Sequence, residues 1–144
     1  MIILDANVVS ETIRPRPSAS VIGWIDAQQA HQLYLCTPVL AELRYGMERL
    51  ETGPRKQALR YTIERLEGDV FKSRILTFDE PAARAYAKVA VLYEQSRRMI
   101  QRMDGFIAAI AVSHGAAVAT RNIRDFENLG IEIINPFEFT ISTE

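Results

Sequence analysis

The chain has 144 residues, a length for which one domain is the default and at which a hydrophobic core needs no disulfides. The formal net charge of −1 excludes a protein that coats nucleic acid through a generally basic surface, so an anionic substrate must be recognised by a local patch or a metal ion. The single cysteine, Cys36, excludes an internal disulfide, and no apolar stretch reaches the roughly 20 residues of a membrane span. We therefore expect a cytoplasmic protein without a membrane partner.

Short apolar runs alternate with longer stretches of helical period along the chain. The runs are MIIL, LYLC, RILTF, AAVAT and IEII, each bounded by polar or turn residues. This alternation predicts an α/β fold in which helices flank a mainly parallel central sheet. Without linkers or repeats, residues 1–144 are predicted to form a single domain.

Capping residues set the predicted helix boundaries. Ser18 and Thr37 are the expected N-caps of two helices, and Gly68 is the expected end of a third. The segment MDGFIAAIAVSHG is apolar nearly all round, which predicts a central helix. In the helix before it, one face is predicted to be apolar, formed by Ala83, Tyr86, Ala87, Ala90 and Tyr93.

The first apolar run ends in a carboxylate, Asp5. In an open parallel sheet, ligands bind at the carboxyl ends of the strands, so this acid is expected at the binding edge. The alternative is a helix N-cap that accepts from the amides opening the next helix. Asp5 alone does not distinguish these interpretations.

Further acids occupy comparable positions. Glu42 borders the buried stripe of its predicted helix, although a solvated flank near Arg44 and Arg49 would explain it too. Asp104 opens the central helix and should point inward, unless it is an N-cap. The segment TRNIRDF supplies Asn122 and Asp125 after a strand, or forms a polar turn.

Together these positions are more informative than each is alone. Three of the six aspartates fall at a strand end or a helix start. Clustered carboxylates repel in a low-dielectric cleft, and a bound divalent cation removes that repulsion. All-oxygen ligands favour Mg²⁺ or Mn²⁺ over zinc, and such a site suits phosphodiester chemistry.

Four sequence blocks carry a resemblance to a known family. MIILDANVVSE, TPVLAELRYGMERL, MDGFIAAIAVSHG and VATRNIRDFENLGIEIINP resemble, in order, the signature blocks of PIN-domain ribonucleases, and more narrowly the VapC/FitB-type toxins of type II toxin–antitoxin pairs. The resemblance implies a single PIN domain over residues 1–144, a Mg²⁺ or Mn²⁺ cofactor and endonucleolytic cleavage of RNA. It also implies a cognate antitoxin whose tail enters the acidic groove, and a homodimer.

The resemblance assigns roles to individual acids. Asp5 and Asp104 match the first and third family acids, which would be the principal metal ligands. Glu42 matches the second acid and would bind metal through water or hold a second ion. At the fourth position some relatives have an aspartate directly after TR. This chain has Asn122 there, and we favour Asp125 as the fourth acid, with Asn122 as a neutral partner.

Two other residues have supporting roles by the same resemblance. Thr120 would orient a carboxylate or the attacking water, and Asn7 would brace the turn after Asp5. The implied mechanism is attack of a metal-activated water on an RNA phosphodiester, with Glu42 or Asp125 positioning that water. The products would be a 5′-phosphate and a free 3′-hydroxyl.

Arginine accounts for 14 of the 17 basic residues. A guanidinium group fits phosphate and stacks on unpaired bases, so arginines near the acids are candidate RNA contacts. Arg14, Arg121 and Arg124 are the candidates that we single out. Ordinary solvated faces explain the same residues.

Other functional classes fit the residues less well. A haloacid-dehalogenase-type phosphotransferase requires a second aspartate at position 7, but this chain has Asn7 there. A phospho-receiver domain requires a lysine near the end of its last central strand, and the segment AAVATRN contains no lysine. His31 and His114 would be candidates for a metal-free general acid–base pair, but no sequence motif supports that role. The alternative left open is a non-catalytic PIN-fold regulator that acts through partner-protein and nucleic-acid binding.

Overall fold

The structure, a computed structural model, describes residues 1–96, 98–99 and 101–142. Each of the five predicted apolar runs forms a strand. The strands are β1 (Ile2–Leu4), β2 (Leu33–Cys36), β3 (Ile75–Leu76), β4 (Ala117–Ala119) and β5 (Ile133–Ile134). They form one sheet in the order β3-β2-β1-β4-β5, and every neighbouring pair is parallel. The predicted α/β fold is confirmed.

Helices connect the strands and cover the sheet. Among the described residues the α-helices are α1 (Ala6–Ile13), α2 (Ala19–Ala27), α3 (Thr37–Glu48), α4 (Pro54–Arg65), α5 (Glu80–Gln95) and α6 (Arg102–His114). A π-helical turn, Leu66–Val70, extends α4, and short 3₁₀ turns form at Ala30–Gln32, Ile123–Asp125 and Pro136–Glu138.

The strand β1 is the centre of the sheet. Ile2 pairs with Leu33 of β2 on one side and with Ala117 of β4 on the other. Ile3 and Leu4 are buried, because helices cover both faces of a parallel sheet. Since all strands run the same way, their carboxyl ends meet at one edge of the sheet.

The central helix predicted from MDGFIAAIAVSHG is α6. Its residues Ile107–Ala111 are all fully buried, and it ends at Gly115, whose φ of 61° is left-handed. No helix within the described ranges is both long enough and apolar enough to cross a membrane.

The predicted buried face of α5 is wrong in part. The buried residues are Ala82, Ala85, Val89 and Tyr93, whereas Ala83 and Ala87 of the predicted face are exposed. Alanines occur on all sides of α5, so their spacing in the sequence does not show which face is buried. The larger side chain of Val89 occupies the core and sets the rotation of the helix.

One predicted helix boundary is confirmed: Ser18 is the N-cap of α2, and its Oγ accepts from the Val21 N–H. Two other predicted boundaries are wrong. Thr37 lies inside α3, and the cap position falls on Cys36, because β2 runs into the helix without a loop. Gly68 does not end α4. The chain continues through the π-helical turn, which the Phe71 N–H closes by donating to the Leu66 carbonyl at 2.9 Å, and this brings Phe71 into the core.

Candidate active site

Four acids approach one another at the carboxyl edge of the sheet. Asp5 directly follows β1, and Glu42 lies in α3, which follows β2 without a loop. Asp104 is in the first turn of α6, and Asp125 ends the 3₁₀ turn that follows β4. Residues far apart in the chain meet here because β1 lies between β2 and β4 in the sheet.

Three of these acids form a tight cluster. Asp5, Glu42 and Asp104 each offer one carboxylate oxygen, and these oxygens all lie within 4.8 Å of one another. The carboxyl group of Asp125 lies close enough to Asp104 for its charge to raise the pKa of Asp104. Asp5 is buried, whereas Glu42, Asp104 and Asp125 are half-buried, so the cluster opens towards solvent on one side.

The cluster is electrostatically strained. Burial, followed by the charges of Asp5, Asp125 and Glu42, raises the pKa of Asp104 to about 7. The pKa of Glu42 is raised by burial and by the charge of Asp5. Burial also raises the pKa of Asp5, although the hydrogen bonds that it accepts oppose the shift.

Asp5 is held by several donors. Its Oδ1 accepts from the Ala6 N–H at 2.8 Å, the contact expected of a helix N-cap. Its Oδ2 accepts from Thr120 Oγ1 at 2.7 Å and from Asn7 Nδ2 at 3.1 Å. The two interpretations of Asp5 are therefore compatible, since one oxygen caps α1 while the carboxylate also joins the acid cluster.

Thr120 and Asn7 connect Asp5 to the segment after β4. The Asn122 N–H donates to Thr120 Oγ1 at 2.9 Å, and the Arg121 N–H donates to Asn7 Oδ1 at 3.1 Å. Asn7 Nδ2 also lies 3.3 Å from Thr120 Oγ1. Asn122 enters this network through its backbone, and its side chain is exposed.

The residues present fit a hard divalent cation. Within the described part of the chain, Glu42 Oε1 is buried and has no hydrogen-bond partner. A buried oxygen acceptor without a donor is costly, and a cation would satisfy it. The cluster presents only carboxylate oxygens, which are the ligands that Mg²⁺ and Mn²⁺ prefer.

Comparison with known proteins agrees with this geometry. The model of the PIN domain family matches residues 2–132. The chain belongs to the PIN-domain family. Its homologues in that family include toxins of the VapC/FitB type, as the sequence blocks predicted.

The similar proteins align with this PIN domain over nearly their full length. The VapC ribonuclease Y4jK of Sinorhizobium fredii is 43% identical over 141 residues, which are 96% of this chain and 99% of that protein. Toxin FitB of Neisseria gonorrhoeae is 38% identical over 137 residues, 95% of this chain and 99% of that protein. A solved structure of FitAB bound to an IR36 DNA fragment superimposes with a TM-score of 0.90 at 36% identity, covering 99% of this chain and 100% of that one.

The candidate RNA-contacting arginines of this PIN domain differ in their surroundings. Arg14 is paired with Glu11 at 3.2 Å, yet its side chain remains 66% exposed. The guanidinium carbon of Arg121 lies 3.7 Å from the centroid of the Phe137 ring. Arg124 is exposed, and its carbonyl accepts from Arg98.

The histidines lie away from the acids. His31 precedes β2 and His114 precedes β4, so both are at the amino edge of the sheet. Both side chains are exposed. This placement does not favour an acid–base pair at the acid cluster.

A groove opens next to Glu42. It has a volume of about 550 Å³ and runs between α1, α3 and α4. Most of its lining is apolar, including Ile13, Leu43, Leu50 and Leu59, and Arg14 and Arg55 also line it. The groove therefore lies directly beside one of the three clustered acids.

Two residues near the acids were not identified by sequence patterns. Tyr93 was expected to pack in the core or at a partner interface, and it is buried, but its hydroxyl has no hydrogen-bond partner within the described residues. The pKa of Tyr93 is raised to about 12, chiefly by burial. The positive charge of Arg98 opposes this shift, and the charges of Asp104 and Asp125 add to it. Arg98 was not among the arginines singled out from the sequence, and it donates to backbone carbonyls on both sides of Asp125.

Proposed function

We propose that this PIN domain is a Mg²⁺- or Mn²⁺-dependent endoribonuclease and the toxin of a toxin–antitoxin pair. The observation that carries the proposal is the cluster of Asp5, Glu42 and Asp104, each of which offers a carboxylate oxygen within 4.8 Å of the others. Glu42 Oε1, which is buried without a hydrogen-bond partner in the described part of the chain, agrees with it. The names of similar proteins, which include a VapC ribonuclease, Toxin FitB and a tRNA(fMet)-specific endonuclease VapC of Shigella flexneri, support it.

Asp5 and Asp104 would hold the cation directly, and Glu42 and Asp125 would complete its surroundings through water or a second ion. When bound, Mg²⁺ or Mn²⁺ would offset charge on the scissile phosphate and acidify water at neutral pH. Hydrogen bonds within the protein orient one of the candidate ligands before a cation binds. The Thr120 hydroxyl and the Asn7 amide fix the Asp5 carboxylate, so that its orientation costs nothing on binding.

The remaining acids handle the nucleophilic water and its proton. Glu42 Oε1, which is buried and has no hydrogen-bond partner among the described residues, would be available to accept a hydrogen bond from that water. Asp125 lies close to Asp104 and would take the same role. The pKa of each of Asp5, Glu42 and Asp104 is raised in the absence of a cation, and a bound divalent cation would lower all three by favouring the carboxylate forms.

The substrate and the partners follow from the same surface. Arg14, Arg121 and Arg124 would contact RNA phosphates around the acid cluster. The solved FitAB structures are named as complexes, and we propose that a cognate antitoxin binds this chain in the same way, with the apolar groove beside Glu42 as part of its contact surface. We further propose that residues 1–144 act as one PIN domain, that the active form is a homodimer, and that it acts in the cytoplasm.

Cleavage of RNA by the purified protein tests the proposed function. We expect cleavage of structured RNA with Mg²⁺ or Mn²⁺, none with EDTA, and a loss of at least about 10²-fold in Asp5→Asn and Asp104→Asn, because metal-assisted charge stabilisation contributes several kcal/mol. Asp26→Asn is the matched control, since Asp26 is an exposed aspartate of α2. Expression of the wild-type chain alone should slow bacterial growth, whereas Asp104→Asn should not.

The opposite result would favour a different function. If the folded wild-type protein cleaves no RNA with either cation, the non-catalytic PIN-fold regulator is the better interpretation. Equal growth of cells that express the wild-type chain and Asp104→Asn would contradict the toxin assignment in the same way.

A further inference from the structure

The segment that carries Asp125 is tied to the end of α5 by one side chain. We call residues 121–129 the Asp125 loop. Arg98 lies three residues beyond the end of α5, and its guanidinium group reaches across to this loop. Its Nη1 donates to the carbonyl of Arg124, and its Nη2 donates to the carbonyl of Glu127 at 2.6 Å.

The two acceptor carbonyls lie on either side of Asp125. Bonds from one rigid planar group to both of them fix the position and the rotation of the intervening peptide units. Hydrogen bonds from a charged donor are shorter and stronger than neutral ones. The buried ring of Phe126 anchors the core side of the loop, and Arg98 holds its outer side.

The guanidinium group is itself held in place. Its Nε donates to Ser96 Oγ at 3.0 Å, and its central carbon lies 4.7 Å from the centroid of the Tyr93 ring. The Arg98 N–H also donates to the Tyr93 carbonyl at 3.1 Å. A lysine has one ammonium group and no planar fork, so it cannot stack on Tyr93 and bond both carbonyls at once.

The loop matters because of where it places its acid. The Asp125 carboxyl lies close to that of Asp104, and its negative charge raises the pKa of Asp104. Whenever Asp104 is ionised, the two carboxylates repel, and a loop that is free to move would carry Asp125 away from the cluster. The contacts of Arg98 oppose that movement through the backbone, without neutralising the acid side chain itself.

We propose that Arg98 is a positioning residue that holds Asp125 beside Asp104 and thereby completes the acid cluster. The proposal deepens the proposed function and rests on it, since it concerns the fourth acid of the same site. Arg98 does not touch the substrate or the reacting atoms in this role. Its effect on the site passes through Asp125.

Hydrogen exchange of the metal-free protein tests the contact itself. The N–H groups of Asp125 and Phe126 donate to the Asn122 and Ile123 carbonyls at 3.1 and 3.0 Å, so their exchange reports on the order of the loop. We expect several-fold faster exchange of these two amides in Arg98→Lys, with α6 and the sheet unchanged. Arg84→Lys is the matched control, because Arg84 lies on the exposed side of α5 and pairs only with Glu80 among the described residues. Unchanged exchange in Arg98→Lys would overturn the proposal.

A double-substitution cycle tests whether Arg98 acts through Asp125. Mn²⁺ affinity is measured by calorimetry for Arg98→Lys, Asp125→Asn and the double variant. We expect about tenfold weaker binding for each single variant, and a double variant that is no weaker than Asp125→Asn alone, because the two residues act as one unit. Additive losses would show that Arg98 works independently of Asp125 and would overturn the proposal.

The two measurements also separate this proposal from the proposed function. Hydrogen exchange needs neither a cation nor RNA, so it reports on the contacts of Arg98 in any case. The wild-type protein could cleave no RNA while the Asp125 and Phe126 amides still exchange faster in Arg98→Lys. That result would contradict the ribonuclease assignment and support the positioning of Asp125.

Discussion

Thr120 links the two halves of the chain at the acid cluster. Its hydroxyl donates to Asp5 Oδ2 at 2.7 Å and accepts from the Asn122 N–H at 2.9 Å. We predict that Thr120→Val, which has nearly the same shape and no hydroxyl, weakens Mn²⁺ binding roughly 10–100-fold, since residues that orient a metal ligand have effects of this size. Calorimetric titration measures the affinity.

Thr120→Ser is the control for that substitution. Serine keeps the hydroxyl and should bind Mn²⁺ with near wild-type affinity. Equal affinity of the valine variant and the wild-type protein would show that the Asp5 carboxylate needs no help from Thr120.

The pKa of Asp104 predicts how stability depends on pH. The folded, metal-free protein keeps a proton on Asp104 up to a pKa of about 7, whereas the unfolded chain releases it near the ordinary value of 3.8. Between these values the folded state binds more protons, so the free energy of unfolding falls as pH rises and stays low above pH 7. Urea unfolding in EDTA from pH 4 to 8 should show this fall, and Asp104→Asn should show a shallower one. An equal or steeper fall in Asp104→Asn would contradict the assignment of the shift to Asp104.

At the scale of single residues, three different patterns pointed to the acids. Asp5 was predicted from a strand end, Glu42 from the border of an apolar helical stripe and Asp104 from the start of an apolar helix, and the structure brings one oxygen of each within 4.8 Å of the others. The role of Arg98 could not be predicted in this way. Its contacts join backbone carbonyls 26 and 29 residues away, and sequence patterns do not indicate which carbonyl an arginine reaches.

Among the helices, two glycines with open surroundings should respond oppositely to alanine. No described atom lies within 4 Å of a Cβ added at Gly115 or at Gly46, so steric contact decides neither case. Gly115 has a φ of 61° and caps α6, and we predict that Gly115→Ala lowers the free energy of unfolding by about 1 kcal/mol. Gly46 lies within α3, where Gly46→Ala should raise it by about 0.5–1 kcal/mol.

Thermal or urea unfolding of the two variants checks this pair. A stabilised Gly115→Ala would show that the left-handed turn relaxes at no cost. A lower free energy of unfolding for Gly46→Ala would show that α3 requires glycine at this position for a reason other than steric contact.

The limits of prediction at the scale of elements appear in α5. The strands were predicted correctly from short apolar runs, since such runs bounded by turn residues are typical of buried strands. The buried face of α5 was not, because Ala82, Ala83, Ala85 and Ala87 are equally compatible with several rotations. The face is chosen by the packing of α5 against α6, and that pairing is a property of the tertiary structure.

For the molecule as a whole, cation binding should be coupled to folding. The acids of the cluster come from residues 5, 42 and 104, so the site exists only in the folded chain. At a free Mn²⁺ concentration of about 100 times its dissociation constant, the folded state gains about 2.7 kcal/mol, which corresponds to a rise of roughly 5–10 °C in the melting temperature. Calorimetric scans with and without Mn²⁺ measure this rise. Asp104→Asn should lose most of it and Asp26→Asn should keep it, and a rise of the same size in both variants would place the binding elsewhere.

The central position of β1 has a consequence for how the protein is made. The strand β1 is synthesised before both of its neighbours, and it can pair with β4 only after Ala119 has been made, since the Asp5 N–H donates to the Ala119 carbonyl at 2.9 Å. At roughly 5–20 residues per second, translation needs on the order of several seconds to go from Glu42 to Asp104. A nascent chain that has not reached Asp104 therefore carries Asp5 and Glu42 without the third acid, so the cluster can form only after residues 104–119 have been translated.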